Sequence, residues 1–495
     1  MAELIECKKS FLLHINGYLY YKHSGRIGET AYWNCRRKPE CNARVTTYGG
    51  PHNIRVLKGL DESKHILHAP NPEEVEALRV MNRIKRKATE NPEAPPAQIL
   101  QTELRNVSPA VLAEMPNRIN SRKSLSRERL KDFPSNPRTL RELQDIPGFY
   151  QNSLNGDKFL IYDSYENDED SEFGRILVFA TPENLRQLFR SILWFADGTF
   201  KTSPSIFFQV FAILGAVTQP DSRGKPQTIG LPFVYALLEN KEQKVYEKVF
   251  SVVLQEAERL GIDISLPIKV MTDFELAIIN AVKIVMGEDK ARCCFFHLCQ
   301  NMYRHIQSEG LQKMYCDPED RSVKVATHMI CALAFVPHQN IAREFETLKN
   351  EIPEEMRPIS KYFDATYVRG KPAKGRRKQV HPRYAPDLWC QYDAVIQQTA
   401  RTNNISEGWH NRLQVVIGKD HPSFYIFLSE LQKEQSDTEI MMRQLQSGQQ
   451  VKKNKYSKRL KHEQRIFNIV SKYHEYVDNN DIVTYLKTLG YYIRM

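Results

Sequence analysis

The sequence predicts an α+β chain of several domains. A small β-rich start is followed by a basic helical stretch and then a mixed α/β core interrupted by helices. Three observations predict this. The first 75 residues are rich in aromatics, glycine and turn residues, with short strand-like runs recurring through them. From about residue 155, apolar β-rich runs give way to alternating helix and strand patterns. The 495 residues correspond to about three domains. A 41% hydrophobic share supports packed cores and excludes wholesale disorder. The longest apolar run, Ile206 to Val217, has 12 residues and contains Gln209 and Gly215, too short for a membrane span. The N-terminal MAELIECKKSF lacks a charged stretch followed by an apolar one, so no secretory signal is expected. Nine cysteines, an odd number spread unevenly, fit a reducing compartment with metal-bound or buried thiols. With 70 Lys and Arg against 59 Asp and Glu, the formal net charge of +11 points toward nucleic acid.

Residues 1–75 form the first expected domain. Tyr18-Leu19-Tyr20-Tyr21, Ala31-Tyr32-Trp33 and Ala43-Arg44-Val45-Thr46-Thr47 read as strands, and Ala69-Pro70-Asn71-Pro72 closes the block. Glu73 to about Lys87 reads as a helix, acidic first and basic last, as the helix dipole favours. Residues 76–150 accumulate Arg and Lys. Helical patterns lie near Pro96–Leu104, Ser108–Met115 and Pro116–Leu130, with Pro and Ser at their starts. They predict a three-helix unit with a basic last helix, or else a solvated linker.

Residues 151–305 carry the first part of the core. Phe159–Asp163 and Ile176–Ala180 read as strands around an acidic loop, Glu166 to Glu172. The runs Ile192–Asp197, Ile206–Val217 and Thr228–Glu239 follow as strands, Val245–Leu260 as a helix and Ile268–Asp273 as a strand. A helix through Ile284 and a strand at Cys293–Phe296 complete a mixed sheet with covering helices. Residues 306–400 read as a helical insertion, and 401–435 return to the core as helix. From 436 to 495 the pattern predicts a basic helical tail containing Lys452, Lys453, Lys455, Lys458, Arg459 and Lys461.

Metal-ligand chemistry appears first near the N-terminus. Cys35 and Cys41 are followed by His65 and His68. Two thiolates and two imidazoles make a closed tetrahedral set for structural zinc. A 75-residue block with few aliphatic residues needs such a staple. Cys7, His14 and His23 compete as ligands. The words Gly17-Tyr18-Leu19-Tyr20-Tyr21, Tyr32-Trp33-Asn34-Cys35, Cys41 and His68-Ala69-Pro70-Asn71-Pro72-Glu73-Glu74-Val75 resemble a FLYWCH-type zinc finger. That family closes with His-x-His, whereas His65 and His68 are two residues apart. The resemblance implies zinc on Cys35, Cys41 and two closing histidines, and binding of DNA or of protein partners.

A second constellation is acidic. Asp197 and Asp273 each end a predicted strand, and Glu407 lies on a predicted helix. Three carboxylates held close repel one another unless cations bridge them. Hard oxygen ligands suit Mg²⁺ or Mn²⁺, and two such ions stabilise attacking and leaving oxygens in phosphoryl transfer. Four successive words surround these acids: Asp197-Gly198-Thr199-Phe200-Lys201-Thr202, Thr272-Asp273-Phe274-Glu275, Cys294-Phe295-Phe296-His297-Leu298-Cys299-Gln300, and Thr402-Asn403-Asn404 through Glu407-Gly408-Trp409-His410-Asn411-Arg412. In this order they resemble Mutator-like (MULE) transposase domains, over residues 155 to 435. The resemblance implies an RNase H-like core interrupted by a helical insertion, and a DDE triad of Asp197, Asp273 and Glu407. Cys294 and His297 match its Cys-x-x-His signature, read here as groups orienting the centre. Trp409 and His410 stack on or hydrogen-bond DNA, or pack in the core.

The resemblance implies a metal-dependent DNA transposase acting on double-stranded DNA in the nucleus, as a homo-oligomer and with no membrane. Arg122, Lys123 and Arg127 on the last predicted helix, and Lys374, Arg376, Arg377 and Lys378 in the 369–383 loop, are the candidate phosphate contacts. The alternative is a domesticated DNA-binding regulator without transposition.

Overall fold

The computed structural model describes residues 2–7, 10–51, 53–59, 61–91, 94–129, 131, 133–166, 173–220, 226–373, 378–451 and 457–493. The chain forms two compact units, residues 1–135 and 136–495.

In the first unit, β1 (Ala2–Cys7), β2 (Ser10–Ile15), β3 (Tyr18–Gly25), β4 (Thr30–Cys35), β5 (Arg44–Tyr48) and β6 (Arg55–Lys58) form one antiparallel meander in chain order. The three predicted strands lie in β3, β4 and β5. Leu13, Ile15, Tyr20, Trp33 and Val45 pack together on one face, as period-two patterning requires. Trp33 Nε1 donates to Thr47 Oγ1 at 2.8 Å. Asn16 and Gly17 turn β2 into β3 with φ of 48° and 83°, the left-handed pair of a two-residue hairpin. A Cβ at Gly17 would stand 2.7 Å from Pro70 Cβ, so the 69–72 loop closes over this turn.

Asn71 Oδ1 accepts the Glu74 N–H and starts α1 (Pro72–Glu90). Val75 of α1 packs on Ile5 and Leu19 of the sheet. Val80, Met81 and Ile84 share a second core with Ile99 of α2 (Pro96–Glu103), Val111 of α3 (Pro109–Glu114) and Leu125 of α4 (Arg118–Arg129). The basic stretch is thus a packed helical unit rather than a solvated linker.

The second unit begins with α5 (Gly148–Gln151), β7 (Leu160–Asp163), β8 (Ile176–Phe179) and α6 (Pro182–Arg190). It continues with β9 (Leu193–Thr199), β10 (Gln209–Pro220), β11 (Pro226–Leu238), α7 (Gln243–Arg259), β12 (Lys269–Thr272), α8 (Leu276–Met286), β13 (Ala291–Cys293) and α9 (Phe295–Ser308). The sheet runs β13-β12-β9-β10-β11-β8-β7. β12 is parallel to β9 and to β13, and the other pairs are antiparallel. Val210 to Leu214 are all fully buried, so both faces of the sheet are covered.

Helices fill the rest: α10 (Gln312–Tyr315), α11 (Ser322–Ala332), α12 (Ile341–Lys349), α13 (Arg357–Phe363) continued by a π-helical turn at 364–368, α14 (Pro386–Trp389) and α15 (Tyr392–Ile396). Then come α16 (Asn404–Ile417), α17 (Phe424–Gln446), α18 (Ser457–Val470), α19 (Tyr473–Asp478) and α20 (Ile482–Gly490). Among the described residues, no helix is long and apolar enough to cross a membrane.

Three expectations change. The strand predicted at Cys293–Phe296 ends at Cys293, and Cys294 caps α9. Phe295 and Phe296 look strand-like locally, but Leu298, Cys299, Met302 and Ile306 bury a helical face. The single helix expected over 401–435 is two helices, because Gly418 ends α16 in the left-handed conformation at φ 71°. The segment expected to be a basic tail supplies core. Ile466, Val470, Tyr473, Tyr485, Leu486 and Leu489 join the main apolar cluster, and Tyr473 Oη donates to buried Glu344 Oε1 at 2.9 Å. The acidic residues 167–172, Lys374, Arg376 and Arg377, and Lys452, Lys453 and Lys455 lie outside the described residues.

Candidate functional site

The N-terminal cluster is built by one strand end and one loop. Cys35 ends β4, and Cys41 follows a tight turn in which its N–H reaches the Arg37 carbonyl at 3.1 Å. A short 3₁₀ turn at Glu62–Lys64, capped by Asp61, delivers His65 and then His68. The four ligand atoms lie within 4.8 Å of one another. Cys35 Sγ is 3.3 Å from His68 Nε2, Cys41 Sγ is 3.3 Å from His65 Nδ1, and the two ring nitrogens are 3.1 Å apart. Tetrahedral zinc, with bonds of about 2.0–2.3 Å, separates its ligands by about 3.3–3.8 Å, so the donor set fits structural zinc. His65 Nε2 meets Tyr20 Oη at 2.8 Å, and the Tyr18 ring stacks on its imidazole at 3.8 Å. These contacts turn Nδ1 toward the cluster and orient a ligand from outside it. Both ring nitrogens of His14 are engaged, one by Glu3 and one by the Gly17 N–H, and His23 is exposed. Neither joins the cluster.

In the second unit the three acids converge on the sheet. The parallel register pairs Lys269 with Leu193 and Met271 with Phe195. Two residues further on, Asp273 stands level with Asp197 at the same end of adjacent strands. α16 packs on β9 and β11 and carries Glu407 in its first turn. A Cβ at Gly230 of β11 would come within 1.9 Å of Ile405 Cγ2, so this glycine lets the start of α16 approach the sheet. Gly230→Ala is expected to push α16 outward and cost about 1–3 kcal/mol by overpacking. A thermal melt checks this, and an added Ile405→Ala should restore most of the loss.

Asp197 is nearly buried, and its carboxyl is pushed up to about 8. Burial is the main cause, followed by the charge of Asp273 and then those of Glu407 and Glu275. The Gly198 N–H, donating to Oδ1 at 2.9 Å, opposes the rise. Two histidines face the acids. His410 Nδ1 is 3.6 Å from Asp197 Oδ2, and His297 Nε2 is 3.5 Å from Glu407 Oε1. Burial pulls His410 down to about 4, so its ring is neutral at physiological pH. Its Nε2 and the Nδ1 of His297 are buried without a hydrogen-bond partner among the described residues.

Cys294 and His297 sit where α9 begins. The Cys294 sulfur accepts the Asn403 N–H at 3.1 Å, and the Phe295 N–H reaches the Arg401 carbonyl at 3.1 Å. These bonds stitch α9 to the segment that leads into α16 and thereby set where Glu407 stands. Trp409 is a core residue: its Nε1 donates to buried Glu434 Oε1 at 2.9 Å, and its ring packs on Tyr235. It is not free to stack on DNA. Exposed Lys378 belongs to a loop whose base lies beside Asp273, because Tyr384 Oη donates to the Phe274 carbonyl at 2.8 Å.

Sequence reasoning missed a fourth acid. Glu275 caps α8, and its N–H donates to Asp273 Oδ1 at 3.1 Å. Its Oε1 accepts from buried Tyr246 Oη at 3.1 Å, and that hydroxyl accepts from buried Gln209 Nε2 at 2.7 Å. The motif Asp273-Phe274-Glu275 was visible in the sequence. The tyrosine and glutamine that hold Glu275 come from other elements.

Compared with known families, residues 4–62 match the FLYWCH zinc finger domain and residues 193–301 match the MULE transposase domain. No curated protein matches the chain. The MULE match includes Asp197, Asp273, Cys294 and His297 and ends before Glu407, while the FLYWCH match includes Cys35 and Cys41 and ends just before His65. By these matches and by the two clusters it builds, the chain carries a FLYWCH zinc finger domain followed by a MULE transposase domain.

Proposed function

We propose that this protein is a DNA transposase of the Mutator-like type that cuts DNA at element ends and joins the freed ends to target DNA. The observation that carries the reading is the convergence of Asp197, Asp273 and Glu407, with the Asp197 carboxyl driven far above its usual range by burial first and then by its acidic neighbours. Such a site attracts cations and suits hard oxygen coordination. The core is read as RNase H-like: three antiparallel strands, then two parallel strands each reached through a helix, and a helical block before the third acid. The working domain division is finger, basic helices, core, helical insertion, closing helix and C-terminal helices.

Mg²⁺ or Mn²⁺ held by these three acids would neutralise charge on the scissile phosphodiester and lower the pKa of the attacking water. In the first step, water oxygen bonds to phosphorus, the P–O3′ bond breaks, and a 3′-hydroxyl and a 5′-phosphate result. In the second, that 3′-hydroxyl attacks a target phosphodiester and displaces its 3′-oxygen. The protein's own part is positioning. His410 orients Asp197, His297 orients Glu407, and Cys294 holds the start of α16 in place. Two element ends must meet, so the working form on DNA is at least a dimer, and its place of action is the nucleus. The finger and the basic helices bind the element ends.

The test is Mn²⁺-dependent nicking of supercoiled plasmid by the purified protein. Nicking is expected from the wild type and a loss of about 10³-fold or more from Glu407→Gln, with plasmid binding kept in both. A wild type that binds plasmid but never nicks it, even with its own element ends supplied, would favour the DNA-binding regulator instead.

A further inference from the structure

We propose that α4 (Arg118–Arg129) is a DNA-reading helix, whose solvent face enters a major groove with Ile119 and Asn120 toward base edges and Arg122, Lys123 and Arg127 toward phosphates. This rests on the reading that the chain acts on DNA, and adds which surface reads the duplex and how.

The structure sorts the cations of this region into two groups. Arg79 pairs with Glu3 and Glu76, Arg83 and Lys87 with Glu103, and Lys131 with Glu128. Arg129 caps α1 by donating to the carbonyls of Ala88, Asn91 and Ala94 at 2.6–2.8 Å. All of these are spent on the fold. Arg118, Arg122, Lys123 and Arg127 of α4, like Arg86 and Arg105 elsewhere in this region, are exposed and have no ion pair among the described residues.

The period of α4 places these groups. Ser121 and Leu125 face the helical core. At 3.6 residues per turn, the opposite side carries Ile119, Lys123, Ser126 and Arg127, flanked by Asn120 and Arg122. Glu128 is the one acid in α4; it lies toward the buried side and is paired with Lys131. The exposed face therefore carries cations and neutral polar groups without an acid, and a single apolar side chain: Ile119, 65% exposed, in the first turn of α4. The Ile119 side chain is open to solvent beside these cations. So placed, it can meet a thymine methyl while the flanking cations take the backbone.

The same features choose among partners. A membrane-surface helix needs a broad apolar stripe, and α4 offers one residue. An RNA duplex has a major groove too narrow for a helix, whereas that of B-DNA admits one. The platform is rigid, because Leu125 and Ser121 anchor its underside and Arg129 ties its end to α1.

The test uses the full zinc-loaded chain. Duplexes are selected from a random pool with the wild type, and binding is then followed by fluorescence anisotropy across a salt series. Arg122→Ala with Arg127→Ala should weaken binding to selected and mixed-sequence duplex alike by about 10-fold or more, and flatten the salt slope by about two. Ile119→Ala and Asn120→Ala should lower the ratio of selected to mixed-sequence affinity by about 5–100-fold and leave the salt slope unchanged. All four positions are exposed, so melting curves should match the wild type. If the wild type binds duplex and these variants bind it identically, α4 is not the reading helix, although the chain still acts on DNA. Equal losses on single-stranded DNA would also overturn groove reading. A wild type that binds no duplex would remove the underlying reading together with this one.

Discussion

Asp197→Asn is expected to stabilise the metal-free protein at pH 8 while removing the strand cleavage proposed for it. The Asp197 carboxyl has a native pKa of about 8, against 3.8 for an ordinary aspartate. Between these values the native state holds a proton that the unfolded chain has released. Native stability therefore falls as pH rises from about 4 to about 8, and below that window the group contributes in full. Asparagine keeps the shape without the charge, so its stability curve should be flatter. Each pKa unit corresponds to about 1.4 kcal/mol. Relaxation around the site and entry of water reduce the full value, so a gain of about 1–3 kcal/mol at pH 8 is expected, a few degrees in Tm. Scanning calorimetry of both proteins at pH 4.5 and pH 8 measures it. No gap at pH 8, or a larger gap at pH 4.5, would sink the electrostatic account. Adding Mn²⁺ at pH 8 should raise the Tm of the wild type more than that of the variant, because the variant lacks one of the three carboxylates proposed to hold the ion.

Loss of zinc is the second large effect. Besides the ligands Cys35 and Cys41, the core of the β meander buries eight apolar and aromatic residues, too few to hold six strands without a staple. Structural zinc contributes roughly 10–16 kcal/mol of apparent binding energy to such a fold. Cys35→Ser, or chelation of the wild type, should therefore unfold the meander and shift its transition below room temperature. The melting of residues 136–495 should persist, because their core is separate. Elemental analysis should find one zinc per wild-type chain and almost none in the variant. His14→Ala is the control: its ring is engaged by Glu3 and Gly17, so zinc content should not change. Full zinc in Cys35→Ser would remove that thiol from the ligand set.

The two sites were legible to different depths. Cys35, Cys41, His65 and His68 could be read as donors of the right kind and number. The choice against Cys7, His14 and His23 needed coordinates, because the partners that engage His14 belong to another strand and a turn. The role of Tyr20 was equally hidden, since it meets His65 only after β3 and the following loops fold together. The place of Asp273 just past its strand was visible in local patterning, whereas the strand expected to end at Asp197 runs on to Thr199. Glu275 was in plain view but had no meaning without Tyr246 and Gln209 beneath it. Trp409 offered two readings in sequence, and burial against Glu434 chose one.

Local chemistry and periodicity were enough to determine the α+β class and most core elements and to offer Cys35, Cys41, His65 and His68 as metal donors, because those signals span only a few residues, while Asp197, Asp273 and Glu407 were singled out by the motif words around them. The register of β12 against β9, the approach of α16 at Gly230, the histidines set against the acids and the cation-bearing face of α4 were decided by the tertiary structure. They depend on contacts between segments far apart in the chain, which no window of neighbouring residues encodes.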